Sequence, residues 1–117
     1  MADDAARDPW LEGIELFNAG RFFDCHEAWE EIWKTASGPD KLFYQGMIQM
    51  AVAILHAERG NRRGALAAWE KARARLEPLS AEHRGIALGE FCEAVAGFIA
   101  DARVGNPSAP PPKIRRI

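Results

Sequence analysis

The stretch "KLFYQGMIQMAVAILHAERGN", residues 41–61, carries large apolar side chains on every side of a helix rather than along one stripe. A helix of that kind is stable in water only when other elements surround it. The rest of the chain must therefore wrap this segment. The flanking sequence breaks into pieces suited to that task. Asp8 and Pro9 form a helix start, and Gly20 marks its stop. Trp10, Gly13, Ile14 and Phe17 line the inner stripe between them. A second helix is predicted from Phe22 to about Thr35, before "SGPD". The central helix then runs from near Asp40 to "RGN" at 59–61, and a fourth from Arg62 to about Glu77, stopped by Pro78. Leu88, Phe91, Cys92, Val95, Phe98, Ile99 and Ala102 mark a fifth helix, about Leu88 to Arg103. No segment alternates with period two long enough to make a strand. The expectation is an all-α compact bundle of about five helices in a single domain over residues 1–103. Residues 104–117, with four prolines among them, are expected to form an extended or disordered tail unless docked.

Two helical hairpins repeat at an offset of 40 residues. Gly20 matches Gly60, Cys25 matches Ala65, Trp29 matches Trp69, Glu30 matches Glu70 and Gly13 matches Ala53. A loop glycine followed by a small residue and then an aromatic resembles tetratricopeptide-type hairpins, in which the small residue admits close helix approach and the aromatic fills the gap. With only two degenerate copies, a closed bundle is expected rather than a solenoid. The repeat exposes one exception: His26 falls where the second copy has Leu66.

That exception lies in "FFDCHEAWEEIWK", residues 22–34. With Phe22 at zero and about 100° per residue, Trp29 falls at about 340°, Trp33 at about 20°, His26 at about 40°, Glu30 at about 80° and Phe23 at about 100°. His26 and Glu30 are thus bracketed by the aromatic residues Trp33 and Phe23. Asp24, Glu27 and Glu31 fall on the opposite, solvated face. On the central helix, Gln45, His56 and Gln49 share one polar stripe with Lys41 and Arg59. A short loop makes the two helices antiparallel neighbours. His26, Glu30 and His56 are therefore candidate metal ligands, with Trp33 and Gln49 lining the same site.

Imidazole and carboxylate one turn apart suit zinc, iron or manganese, so a divalent transition metal is the expected cofactor. The H-E-x-x-H signature of zinc hydrolases is absent, and the order is the reverse of the Glu-x-x-His spacing of di-iron bundles. Two other readings stay open. One is a buried hydrogen-bond network in which Glu30 accepts from His26, Gln49 or the Trp33 indole. The other is a pocket or interaction groove lined by Trp29, Trp33, Tyr44 and Trp69. His83, after Pro78, is expected on the surface.

The order of His26, Glu30 and Trp33, with "FNAGRFFDCHEAWE" around them and "QGMIQMAVAILHAERGNRRGA" after, resembles the bacterial and archaeal family catalogued as domain of unknown function 309. The resemblance covers about residues 10 to 103. It implies a small all-helical fold and a metal-binding role for the H-x-x-x-E-x-x-[WY] residues, here His26 and Glu30. It implies no established activity or substrate.

The net charge of -2 gives no general attraction to nucleic acid or anionic membrane, so neither is an expected partner. A homodimer or a protein partner is compatible with the hairpins. The longest nearly apolar run, Gly46 to Leu55, contains Gln49 and is far short of a bilayer span. Cys25 and Cys92 both fall on apolar helical faces and read as small buried hydrophobes rather than a disulfide. With no secretory leader pattern at the start, the cytoplasm is the expected compartment.

Overall fold

The computed structural model describes residues 8–103 and 110–117. It contains α1 (Pro9–Asn18), α2 (Phe22–Trp33), α3 (Gly38–Glu58), α4 (Arg62–Leu76) and α5 (Leu88–Arg103). Among the described residues there is no strand, only isolated bridges joining Ile86 to His83 and to Arg116. The all-α bundle expected from the periodicity is the fold observed.

The helix ends follow local chemistry. Asp8 caps α1, its side chain accepting from the Trp10 backbone N–H at 2.9 Å, with Pro9 in the first turn. Asn61 caps α4 through Gly64 N–H at 2.9 Å. Gly20 and Gly60 both adopt positive φ, +81° and +77°, to turn the chain between helices. The central helix begins at Gly38, two residues before the predicted start, because Pro39 is tolerated in a first turn where its missing N–H is not needed.

α3 is the hub. It packs most extensively on α4 and next on α2, while α1 packs on α2 and α5 lies more lightly on α4 and α3. Phe43, Met47, Met50 and Ile54 on α3 are fully buried. An aromatic cluster fills the α1–α2–α3 side. The Trp10 ring is 5.3 Å from Trp29 and 5.1 Å from Phe43, and Phe17 sits 5.4 Å from Phe91 of α5. Tilted and edge-on contacts of this kind add roughly 0.5–1.5 kcal/mol per pair beyond burial.

The two hairpins share the small residues the repeat demands, since Cys25 and Ala65 are both buried. They differ at the aromatic position. Trp29 is fully buried, whereas Trp69 is half-buried.

The chain's end is extended and docked. Asn18 clamps Ile114 at both backbone groups, donating to its C=O at 3.0 Å and accepting its N–H at 2.7 Å. Ile114 is buried, Ala87 N–H donates to Arg115 C=O, and the Arg115 guanidinium pairs with Glu90. Residues 104–109, the rest of the predicted tail, lie outside the described residues.

His83 is corrected by the structure. Its Nε2 lies 3.3 Å from Asp40 Oδ1, its ring stands 4.4 Å from Phe43, and its side chain is 18% exposed. The loop before α5 folds back over α1 and α3, where the Trp10 indole N–H donates to the Arg84 carbonyl at 3.1 Å.

Glycines inside helices give a first prediction. A Cβ at Gly97, exposed in α5, would meet no heavy atom within 4 Å. Gly97→Ala is expected to stabilise the protein by about 0.5–1 kcal/mol through the reduced entropy of the unfolded chain. Urea denaturation checks it, and a lowered midpoint would contradict it.

Candidate functional site

The i, i+4 spacing places His26 and Glu30 one above the other on α2. His26 Nε2 stands 3.4 Å from Glu30 Oε2. Phe23 stacks on the imidazole, with ring centroids 6.1 Å apart at 28°. One turn further, the Lys41 ammonium lies 5.1 Å over the Trp33 ring.

The pair does not sit in an enclosed pocket. The side chains of His26 and Glu30 are 27% and 45% exposed, Phe23 is exposed, and no polar or charged residue is buried among those described. The helical wheel explains the difference. The buried centre of α2 is Phe22, Cys25 and Trp29. His26 and Glu30 lie on the flank of that stripe, at the edge of the bundle. Phe23, whose apolar character suggested a wider buried arc, points out of the core.

Gln49 and His56 are engaged elsewhere. Gln49 Oε1 accepts from Arg75 Nη1 at 3.2 Å, which ties α3 to α4. His56 Nδ1 lies 3.2 Å from Asn61 Nδ2. Because Asn61 Oδ1 already accepts the Gly64 N–H, its Nδ2 must be the donor, so His56 Nδ1 accepts and the neutral ring keeps its proton on Nε2. Among the described residues, no three His, Cys, Asp or Glu side chains are grouped to hold a metal ion. The broad hydrogen-bond network also reduces to the His26–Glu30 pair, because the Trp33 indole N–H and His26 Nδ1 are buried without partners.

The fit of a metal to this pair rests on its donor geometry. Two ligands about 2.1 Å from a tetrahedral ion stand about 3.4 Å apart. The Nε2–Oε2 separation matches that spacing. Two donors fill only half of a tetrahedral shell. A metal on Nε2 also forces the ring proton onto Nδ1, where no acceptor waits, at a cost of roughly 1–3 kcal/mol.

Fold and site together define a small all-α bundle whose distinctive surface feature is a His/Glu pair on its second helix. The family model for the domain of unknown function DUF309 matches residues 10–68, half of the chain, and the chain belongs to that family. An uncharacterized protein of Bacillus subtilis, YpuF, is 39% identical over 79 residues, covering 66% of this chain and 44% of its own length. An uncharacterized protein of Aquifex aeolicus is 28% identical over 97 residues, covering 82% of this chain and 29% of its own. The chain thus spans less than half the length of these relatives. Among the described residues, no helix is long and apolar enough to cross a membrane.

Proposed function

We propose that this chain binds one divalent transition-metal ion, with His26 Nε2 and Glu30 as its protein ligands. The observation that carries the reading is the 3.4 Å separation of the two donor atoms on one helical face. Partial exposure supports it as well, because it leaves the remaining coordination positions open to groups from solution. Zinc, iron and manganese all suit an imidazole–carboxylate pair. Bound there, the ion would supply Lewis acidity to a molecule reaching the α2 face. His26 and Glu30 would orient that ion, and the stacked Phe23 ring holds the imidazole.

Binding is expected to be weak, in the micromolar range or above, because two side chains provide the shell and Nδ1 lacks an acceptor. Isothermal titration with Zn²⁺ on protein carrying no affinity tag is expected to give one site. His26→Leu and Glu30→Ala should each weaken it by about tenfold or more, while leaving the fold intact because both positions are partly exposed. Equal heats from wild type and both variants would overturn the reading.

A further inference from the structure

The turn before α5 leaves a short backbone edge. Arg84 and Gly85 both take positive φ, +48° and +79°, as a tight two-residue hairpin turn requires. Across it, His83 N–H donates to Ile86 C=O at 3.2 Å and Ile86 N–H donates to His83 C=O at 3.1 Å. The adjoining Gly85 C=O and Ala87 N–H have no partner within the turn, so they form an edge that another strand can extend. Ala87 is buried, and an unpaired N–H there would be costly.

Residues 113–117 fill that edge. The Arg115 C=O accepts the Ala87 N–H at 3.1 Å, and the Ile117 N–H donates to the Gly85 C=O at 2.9 Å. Asn18 holds Ile114 by both backbone groups, as described above. The register follows from the sequence. Pro110, Pro111 and Pro112 have no N–H, so the clamp must fall later, and Ile114 is the first apolar residue after them. Ile114 is also the one buried side chain in 110–117. Arg115 is exposed and is held by Glu90 through Nε and Nη2, at 3.0 and 3.1 Å.

This arrangement is strand addition, in which main-chain bonds give affinity and alternate side chains give specificity. The prolines keep the approach extended and lower the cost of ordering it. The hold on the segment is nevertheless slight. It consists of one buried side chain, one exposed ion pair and a few backbone bonds. A cavity of about 180 Å³ also remains between the prolines and the turn after α1. Segments held by so few buried contacts open well before the global fold does.

We propose that the seat formed by Asn18, Gly85, Ala87 and Glu90 is a recognition site for an extended protein segment carrying Ile-Arg. The chain's own residues 113–117 occupy it, and the same pattern binds in trans when they detach. The site shares no residue with the His26–Glu30 pair and needs no metal.

The probe is a fluorescein-labelled peptide with the sequence of residues 110–117, followed by anisotropy on the full chain. Ile114→Asp puts a carboxylate in the buried position, which drives the resident segment out while the helices stay folded by circular dichroism. This variant is expected to bind the peptide saturably, about tenfold or more tightly than wild type, whose tethered segment competes at high effective concentration. A second change on the seat, Asn18→Ala, should weaken that binding about tenfold, and Glu90→Gln should weaken it several-fold. A peptide of the same composition with the Ile and first Arg exchanged is the control for charge alone and should bind far more weakly. Ile114→Ala repeats the test without a new charge if Ile114→Asp does not fold. In the wild-type chain, the Ala87 and Ile117 amides should exchange with solvent about a hundredfold or more faster than that of Met50 in α3. The proposal is overturned if neither variant folds, if a folded variant does not bind the peptide, if the exchanged peptide binds equally well, or if the Ala87 and Ile117 amides exchange as slowly as Met50.

Discussion

Trp29→Ala is expected to destabilise the protein by about 3–5 kcal/mol, as for other large aromatic side chains removed from a core. The side chain is wholly buried on α2. Its ring lies 5.3 Å from Trp10 and 6.1 Å from Phe17, so truncation opens a hole shared by α1 and α2. The indole N–H donates to the Trp10 carbonyl at 3.2 Å, a buried bond between the same helices. The surrounding aromatics are too large to close the gap by small shifts. A domain of this size has about 5–15 kcal/mol of total stability, so the loss removes a large fraction of it. Urea denaturation followed by circular dichroism gives the answer. A midpoint unchanged from wild type would show that Trp29 does not anchor the α1–α2 interface.

Gly13→Ala tests the same interface from the other side. Gly13 is buried in α1, directly against the Trp29 ring. A Cβ there would come within 2.7 Å of Trp29 Cε2 and closer still to Nε1 and Cδ1. Alanine favours a helix over glycine by about 1 kcal/mol, so propensity alone predicts a gain. Steric overlap decides the sign instead. The ring is held by its hydrogen bond to the Trp10 carbonyl and by the Trp10 and Phe17 rings beside it, so the helices must separate or the ring must leave its position. Overpacking of this kind costs roughly 1–3 kcal/mol, enough to offset the propensity gain and leave the variant less stable. The opposite sign is expected at Gly97, where the added methyl group meets nothing. A Gly13→Ala protein as stable as wild type would show that the ring moves freely.

These two residues also show what the sequence made legible. The stripe Trp10, Gly13, Ile14, Phe17 predicted the buried face of α1 residue by residue, because a helix period is a local property of the chain. Gly20 and Gly60 marked turns for the same reason. The 40-residue match of Trp29 with Trp69 did not extend to equal burial. Trp29 is covered by α1, whereas Trp69 lies beside an open cavity between α4 and α5. Matching positions within two hairpins do not have matching neighbours outside them.

The candidate site divides along the same line. The His26–Glu30 spacing was readable, since i, i+4 geometry follows from the helix alone. Its degree of burial was not, because exposure on the flank of a stripe depends on where adjacent helices end. His56 was placed near the pair by helical phase, but a loop residue, Asn61, engages its ring. His83 was assigned to the surface, yet the path of its loop carries it against Phe43 and Asp40. Asn18, which clamps the chain's end to α1, gave no signal distinguishing it from an ordinary helix terminus.

In the proposed function, His26 and Glu30 act together on a metal ion. Long-range ¹H–¹⁵N spectra of the imidazole nitrogens, recorded during Zn²⁺ addition, address it most directly, because the chain has three histidines to compare. Saturable movement of the His26 Nε2 signal, with His56 and His83 unaffected and the effect lost in Glu30→Ala, is the predicted result. A His26 signal that does not respond to Zn²⁺, or one that responds equally in Glu30→Ala, would contradict the claim.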